Sequence, residues 1–136
     1  MAEQTGEHED DPAENKTIRR GDIFWIGPKH RKGIVPSPTH PYVVIQDDLF
    51  NRSRITTVIV CALTTNLRKA NEPGNVLLEP GEAGLPKQSA IVVSQIDSVP
   101  KEKLGKWVGR LSEERVEQIL SGIRFQQFSY FGQDPS

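Results

Sequence analysis

The chain has 136 residues, of which 26% are charged and 35% apolar, and a net charge of −1. That length points to a single domain, the lone Cys61 excludes an internal disulfide, and no apolar run approaches the roughly 18 residues of a membrane span. The charge is unevenly placed: residues 1–16 carry six acids and one base, so residues 17–136, with 16 basic and 12 acidic side chains, are at +4.

In chain order, the acidic N-terminus has too little apolar surface to offset its ordering entropy and reads as a disordered tail over residues 1–17. An acidic start is unlike the basic-then-apolar pattern of a secretory signal, so the expected location is the cytoplasm. The folded domain is expected over residues 18–136. Asp22–Gly27 reads as a first strand. A loop over residues 27–39 follows, broken by glycines and prolines and carrying the basic run Lys29, His30, Arg31 and Lys32. Loops of that length are often binding loops; a solvated hairpin tip is the plain alternative. His40-Pro41 leads into a strand over Tyr42–Gln46, and Asp47–Arg54 is a polar connection with short helical character. The longest apolar run follows, Thr56–Asn66, β-branched at its centre and ending in Thr64, Thr65 and Asn66. Short strands are expected at Asn75–Leu78, Ser89–Ile96 and Lys106–Gly109, with a helical turn inside Val99–Leu104. The clearest helix is C-terminal, with Ser112 as N-cap, acids in its first turn and the apolar stripe Val116, Ile119, Leu120, Ile123. Phe125, Phe128, Tyr130 and Phe131 lie past that stripe, to close over the core or to contact a second chain. This pattern describes a bent antiparallel sheet or half-open barrel capped by a helix.

Phosphate-loop, zinc and metalloprotease spacings are missing from the chain, and no metal or cofactor is expected. Asp47-Asp48 fits a helix start better than a paired catalytic carboxylate. What remains at strand ends is His40, Thr64, Thr65, Ser94 and Gln95, with the basic loop nearby. Such a set can hold a phosphodiester and move protons: imidazole titrates near pH 6.5, and hydroxyl and basic groups can stabilise phosphate oxygens. RNA suits it better than DNA, because RNA carries its own 2′-hydroxyl nucleophile. The plain alternative is that Thr64 and Thr65 reflect β-propensity alone.

Several pieces, in order, resemble the MazF/PemK/Kid family of toxin endoribonucleases, related to the CcdB fold. Arg20-Gly21-Asp22-Ile23-Phe24-Trp25 is similar to the family's opening strand, and His40 to Asp48 to its second strand. Asn51-Arg52 resembles the following Asn-Arg, and Val60 to Asn66 the strand end that carries Thr. Gly84 to Val92 resembles a further family piece, and Gln95-Ile96 with Leu104-Gly105 to Leu111-Ser112 fit the closing section. The resemblance implies a mainly β fold with a C-terminal helix, an SH3-like, mostly antiparallel small barrel. It also implies a homodimer that cleaves single-stranded RNA without metal, leaving 2′,3′-cyclic phosphate and 5′-hydroxyl ends. A cognate antitoxin with an acidic segment would block it.

On that resemblance Thr64 is the family's active-site threonine and Thr65 its hydroxyl neighbour. His40 stands where the family has a catalytic Arg, and Ser94 where an acid is usual. The catalytic set is thus His40, Thr64 and Thr65. Lys29, His30, Arg31, Lys32, Lys87, Ser94 and Gln95 are the expected RNA contacts, with Lys87 or Arg31 able to supply the missing positive charge. Imidazole transfers protons more readily than guanidinium but lacks its bidentate fork. The two departures leave open a non-catalytic barrel that binds RNA or a partner protein, or a topoisomerase-directed toxin.

Overall fold

The structure is a computed structural model that describes residues 17–27 and 39–132, with the backbone alone for 129–132. The acidic tail and the basic run Lys29, His30, Arg31 and Lys32 lie outside the described residues. Six strands form one sheet: β1 (Asp22–Ile26), β2 (His40–Val44), β3 (Thr57–Thr64), β4 (Val76–Leu77), β5 (Ala90–Pro100) and β6 (Leu104–Arg110). The helices are the one-turn α1 (Asp48–Asn51) and the long α2 (Glu113–Gly132). The strand order is β4-β5-β3-β2-β1-β6 and every pairing is antiparallel. The ladder is open, because β4 and β6 are its two edges and do not pair.

Apolar residues on both faces bend this sheet around two cores. Ile23, Val43, Cys61, Leu63 and Ile91 gather under Ile119 of α2, while Phe24, Val44, Val58, Val60, Val99 and Leu104 gather on the opposite face with Ile18. Alternation along each strand explains the split: Ile23 and Phe24, or Val43 and Val44, are neighbours in sequence and point to opposite sides. A shift in register between Cys61 and Leu63 places Val92 to Gln95 outside the regular ladder and bends β5.

The opening Arg20-Gly21-Asp22 serves this architecture. Arg20 donates its backbone N–H to Asp48 (2.7 Å) and its Nε to the Ile45 carbonyl (2.9 Å). Asp22, almost fully buried, accepts from Trp107 Nε1 (3.1 Å) and Arg110 Nε (2.7 Å), fastening β1 to β6. Helix α2 meets the turn before β4 backbone to backbone, since a Cβ at Gly122 would collide with the Gly74 carbonyl. Arg115 then anchors the helix to the 82–84 turn through a two-pronged pair with Glu82 (2.8 and 3.1 Å). That guanidinium holds the Glu82 carboxyl below its ordinary range, against the opposing effect of partial burial.

Two expected boundaries differ. The strand read as Ser89–Ile96 extends to Pro100, because exposed Ser94 and Gln95 interrupt its polarity without interrupting its backbone pairing at Ile96 to Pro100. The helix does not stop before the late aromatics: with no proline or glycine after Gly122 until Gly132, α2 continues through them. Phe125 and Phe128 are 51% and 59% exposed, so they do not close over the core. Ser112 caps α2 as expected, accepting from Arg115 N–H (3.1 Å).

Candidate active site

The C-terminal end of β3 and the N-terminal end of β2 meet at one corner of the sheet. The β2–β3 register pairs Tyr42 with Ala62, and continued two residues it sets His40 beside Thr64. On the other side Thr64 pairs with Ala90, the first residue of β5, so the segment ahead of it, with Lys87 and Ser89, comes to the same corner. A cavity of about 270 Å³ opens there, and His40, Thr64, Thr65 and Lys87 all line it. Side chains from three segments far apart in sequence are thus gathered by antiparallel topology.

The cavity's polar groups are sparsely used. Thr64 Oγ1 accepts from Asn66 N–H (3.1 Å), which fixes the hydroxyl at the strand end and leaves its hydrogen to donate elsewhere. Ser89 Oγ, in a residue only 2% exposed, donates to the Lys87 carbonyl (2.9 Å) and fixes the backbone that carries Lys87. Among the described residues, His40, Thr65 and Lys87 make no side-chain hydrogen bond or ion pair. The cavity floor is apolar, formed by buried Leu63 and Leu85. One ammonium, one imidazole and two hydroxyls above an apolar floor suit an anionic ligand with an apolar part.

Ser94 and Gln95 are not in this corner. They lie in the middle of β5, exposed, and Ser94 is four residues from the Ala90 that pairs with Thr64, or about 13 Å along the strand. In an antiparallel pair the end of one strand lies beside the start of the next, so residues in the middle of β5 do not flank the last residues of β3. Cys61 is buried, its thiol donates to the Val92 carbonyl (3.1 Å), and burial pushes its pKa up to about 12, so it is a packing residue. Asp47 accepts from Leu49 N–H (2.8 Å) as the N-cap of α1, which is the structural role expected of it. Sequence reading passed over Trp25 and Leu85 as cavity residues; the signal was present in the register, where Trp25 pairs with Pro41 next to His40.

Comparison with known proteins agrees with this fold. Residues 19–126 match the family model described as PemK-like, MazF-like toxin of type II toxin-antitoxin system. The endoribonuclease MazF6 of Mycobacterium tuberculosis (strain ATCC 25618 / H37Rv) is 34% identical over 107 residues, covering 79% of this chain and 94% of that protein. Among solved structures, an endoribonuclease from a Mycobacterial species matches with a TM-score of 0.64 at 17% identity, over 89% of this chain and 97% of that one. A chain of the MazE-MazF crystal structure from Deinococcus radiodurans matches with a TM-score of 0.64 at 12% identity, over 83% and 97%. At those identities the solved structures speak for the fold, and the sequence matches for descent: the chain belongs to the PemK-like, MazF-like family of type II toxin–antitoxin toxins.

Proposed function

We propose that this protein is the toxin of a type II toxin–antitoxin system and cleaves single-stranded RNA at the β2–β3 corner. The observation that carries the assignment of the site is the convergence of His40, Thr64, Thr65 and Lys87 on one cavity, in a chain 34% identical to proteins named endoribonuclease. In this reading the RNA 2′-oxygen attacks the adjacent phosphorus while the bond to the 5′-oxygen breaks. The products are a 2′,3′-cyclic phosphate and a 5′-hydroxyl. His40 is the proton-transfer group, and Lys87 with the Thr64 and Thr65 hydroxyls holds the non-bridging oxygens as charge builds on them. Lys87 supplies a point charge in place of the fork that an Arg at position 40 would offer. Ser94 and Gln95 would meet RNA only outside the cavity, and the basic run 29–32, outside the described residues, remains an expected RNA contact.

The protein is read as a cytoplasmic homodimer, with exposed Trp107, Phe125 and Phe128 as candidates for the paired surface. No described helix is long and apolar enough to cross a membrane. The expected inhibitor is a cognate antitoxin whose acidic segment competes with RNA for the cationic corner; one structural neighbour was solved with its own cognate antitoxin. The acidic segment 1–16 is read as a solubilising extension, with an internal brake as the alternative; deleting it and finding unchanged RNA affinity at low salt discards the brake.

The deciding experiment is incubation of purified protein with RNA in EDTA. Cleavage to cyclic-phosphate ends, abolished by His40→Ala and by Thr64→Ala, is the expected result. Activity that survives both substitutions overturns the site assignment. RNA binding without cleavage by the unaltered protein would favour the non-catalytic barrel, for which the replacement of the family Arg by His40 is the motivating observation.

A further inference from the structure

The nuclease reading uses only the polar half of the cavity. The other half is apolar and carries an aromatic side chain with no role so far. Trp25 follows Ile23 by two residues in β1, so both lie on the same face, and Trp25 pairs with Pro41. Ile23 is fully buried in the core beneath α2, but Trp25, one step further along, is only half-buried and lines the cavity with Pro41, Leu63 and Leu85. The apolar face of the sheet therefore runs out past its packed core and ends in an indole at the rim of the site. Its position is set by a close backbone approach: a Cβ at Gly105 would lie 2.6 Å from the Trp25 carbonyl, so β6 holds β1 tightly at this residue.

A volume of about 270 Å³ falls just below the ~300–1,000 Å³ of pockets for drug-sized ligands. That is the scale of one nucleotide. Cation and hydroxyls stand on one side, and an indole with proline and leucine on the other. That is the division a nucleotide presents, with an anionic phosphate at one end and an apolar-faced ring at the other.

We infer that Trp25 is a base-stacking platform: the cavity takes one unpaired nucleotide, its base against the indole and its phosphate at Lys87, His40 and Thr64. Building on the nuclease reading, this names the part of the substrate that sets binding, as distinct from the part that reacts. Stacking accepts any base, because each has a π-face, so Trp25 contributes affinity for unpaired strands and excludes duplex RNA without selecting a sequence.

The test separates the platform from the chemistry. In Trp107→Phe protein Trp25 is the only tryptophan, since the chain has two. A 2′-deoxy oligonucleotide, which lacks the nucleophile, should quench its emission, and an abasic strand of equal length should not. Trp25→Leu, which keeps apolar bulk without an aromatic face, should raise KM for RNA about ten-fold with kcat within about three-fold, and Trp25→Phe should stay within about three-fold on both. Equal quenching by the two strands, or a Trp25→Leu protein with unaltered KM, overturns the platform. If unaltered protein leaves RNA uncut while the base-bearing strand alone quenches, the nuclease reading fails and the platform stands; if neither strand quenches, the platform fails whatever the cleavage assay gives.

Discussion

The buried polar groups around Asn51 are joined to one another, whereas among the described residues His40, Thr65 and Lys87 around Thr64 have no side-chain partner. Both regions match the family's sequence pieces, and both are rich in amides, hydroxyls and charges. Asn51 Nδ2 donates to the Gln46 carbonyl (2.9 Å) and to Asp48 (3.0 Å), and its Oδ1 accepts from Gln46 Nε2 (3.0 Å). Its carbonyl accepts from buried Lys101 Nζ (3.2 Å). Asp48 feels burial raising its pKa, but the Arg20 N–H, the Asn51 amide and the Arg52 and Arg20 charges together outweigh it and hold the carboxyl below its ordinary value. At the β2–β3 corner, by contrast, His40, Thr65 and Lys87 stand exposed. The difference separates two reasons for finding a polar residue in a motif. A saturated network holds the fold, and an unsaturated one is available to a ligand.

The sharpest way to break this distinction is to exchange the effects. Replacing His40 with Ala should lower kcat for RNA cleavage by about 10²–10⁴-fold, the range for losing a proton-transfer group, with an unchanged Tm. A fall in Tm instead would move His40 into the structural class. Asn51→Ala should do the reverse. It leaves the Gln46 amide and the Asp48 carboxylate short of a partner, and should cost about 2–4 kcal/mol in urea unfolding while kcat per folded molecule stays within about two-fold.

Replacing Lys87 with Ala should have a smaller effect, raising KM about ten-fold. It should also flatten the salt dependence of RNA binding by about 0.7 in the log–log slope, the loss of one phosphate contact on a single strand. A KM rise with an unchanged slope would mean that Lys87 acts through packing. The smallest effect concerns the Glu82–Arg115 pair, a saturated contact nearer the surface. Because the folded-state pKa of Glu82 is lowered, its stabilisation is present above pH ~4.5 and is lost as pH falls through the folded value. Glu82→Gln should therefore cost about 1 kcal/mol at pH 7 and nothing near pH 2, read as the gap between thermal melts of the two proteins. A gap that persists in acid would assign the loss to shape.

These contrasts also explain what was legible in the sequence. The strands were, since Val58, Val60 and Val43 are β-branched and alternate across the sheet. The corner residues His40, Thr64, Thr65 and Lys87 were legible by resemblance, because short pieces of sequence survive where chemistry is local. Grouping Ser94 and Gln95 with Thr64 failed because polarity marks an exposed position and does not say which strand end lies beside which. Only the antiparallel register does that. Trp25 was hidden for the complementary reason: an aromatic residue in a β-branched strand reads as core, and only its place one step past Ile23 exposes it. The helix end was misjudged because a fading apolar stripe is weak evidence for a stop when no Gly or Pro follows.

Val58 and Val60 belong to one core and Cys61 and Leu63 to the other, so neither core can melt while β3 stays in place, and the domain should unfold as one cooperative unit. The amides of β3 should accordingly be among the last to exchange with solvent. Thr64 follows fully packed Leu63 and is stiff by inheritance, while His40 opens its strand with an exposed side chain. The corner therefore sets a hydroxyl held by the ladder against an exposed imidazole, and in the proposed nuclease reading the imidazole is the half whose ordering is deferred to the moment of binding.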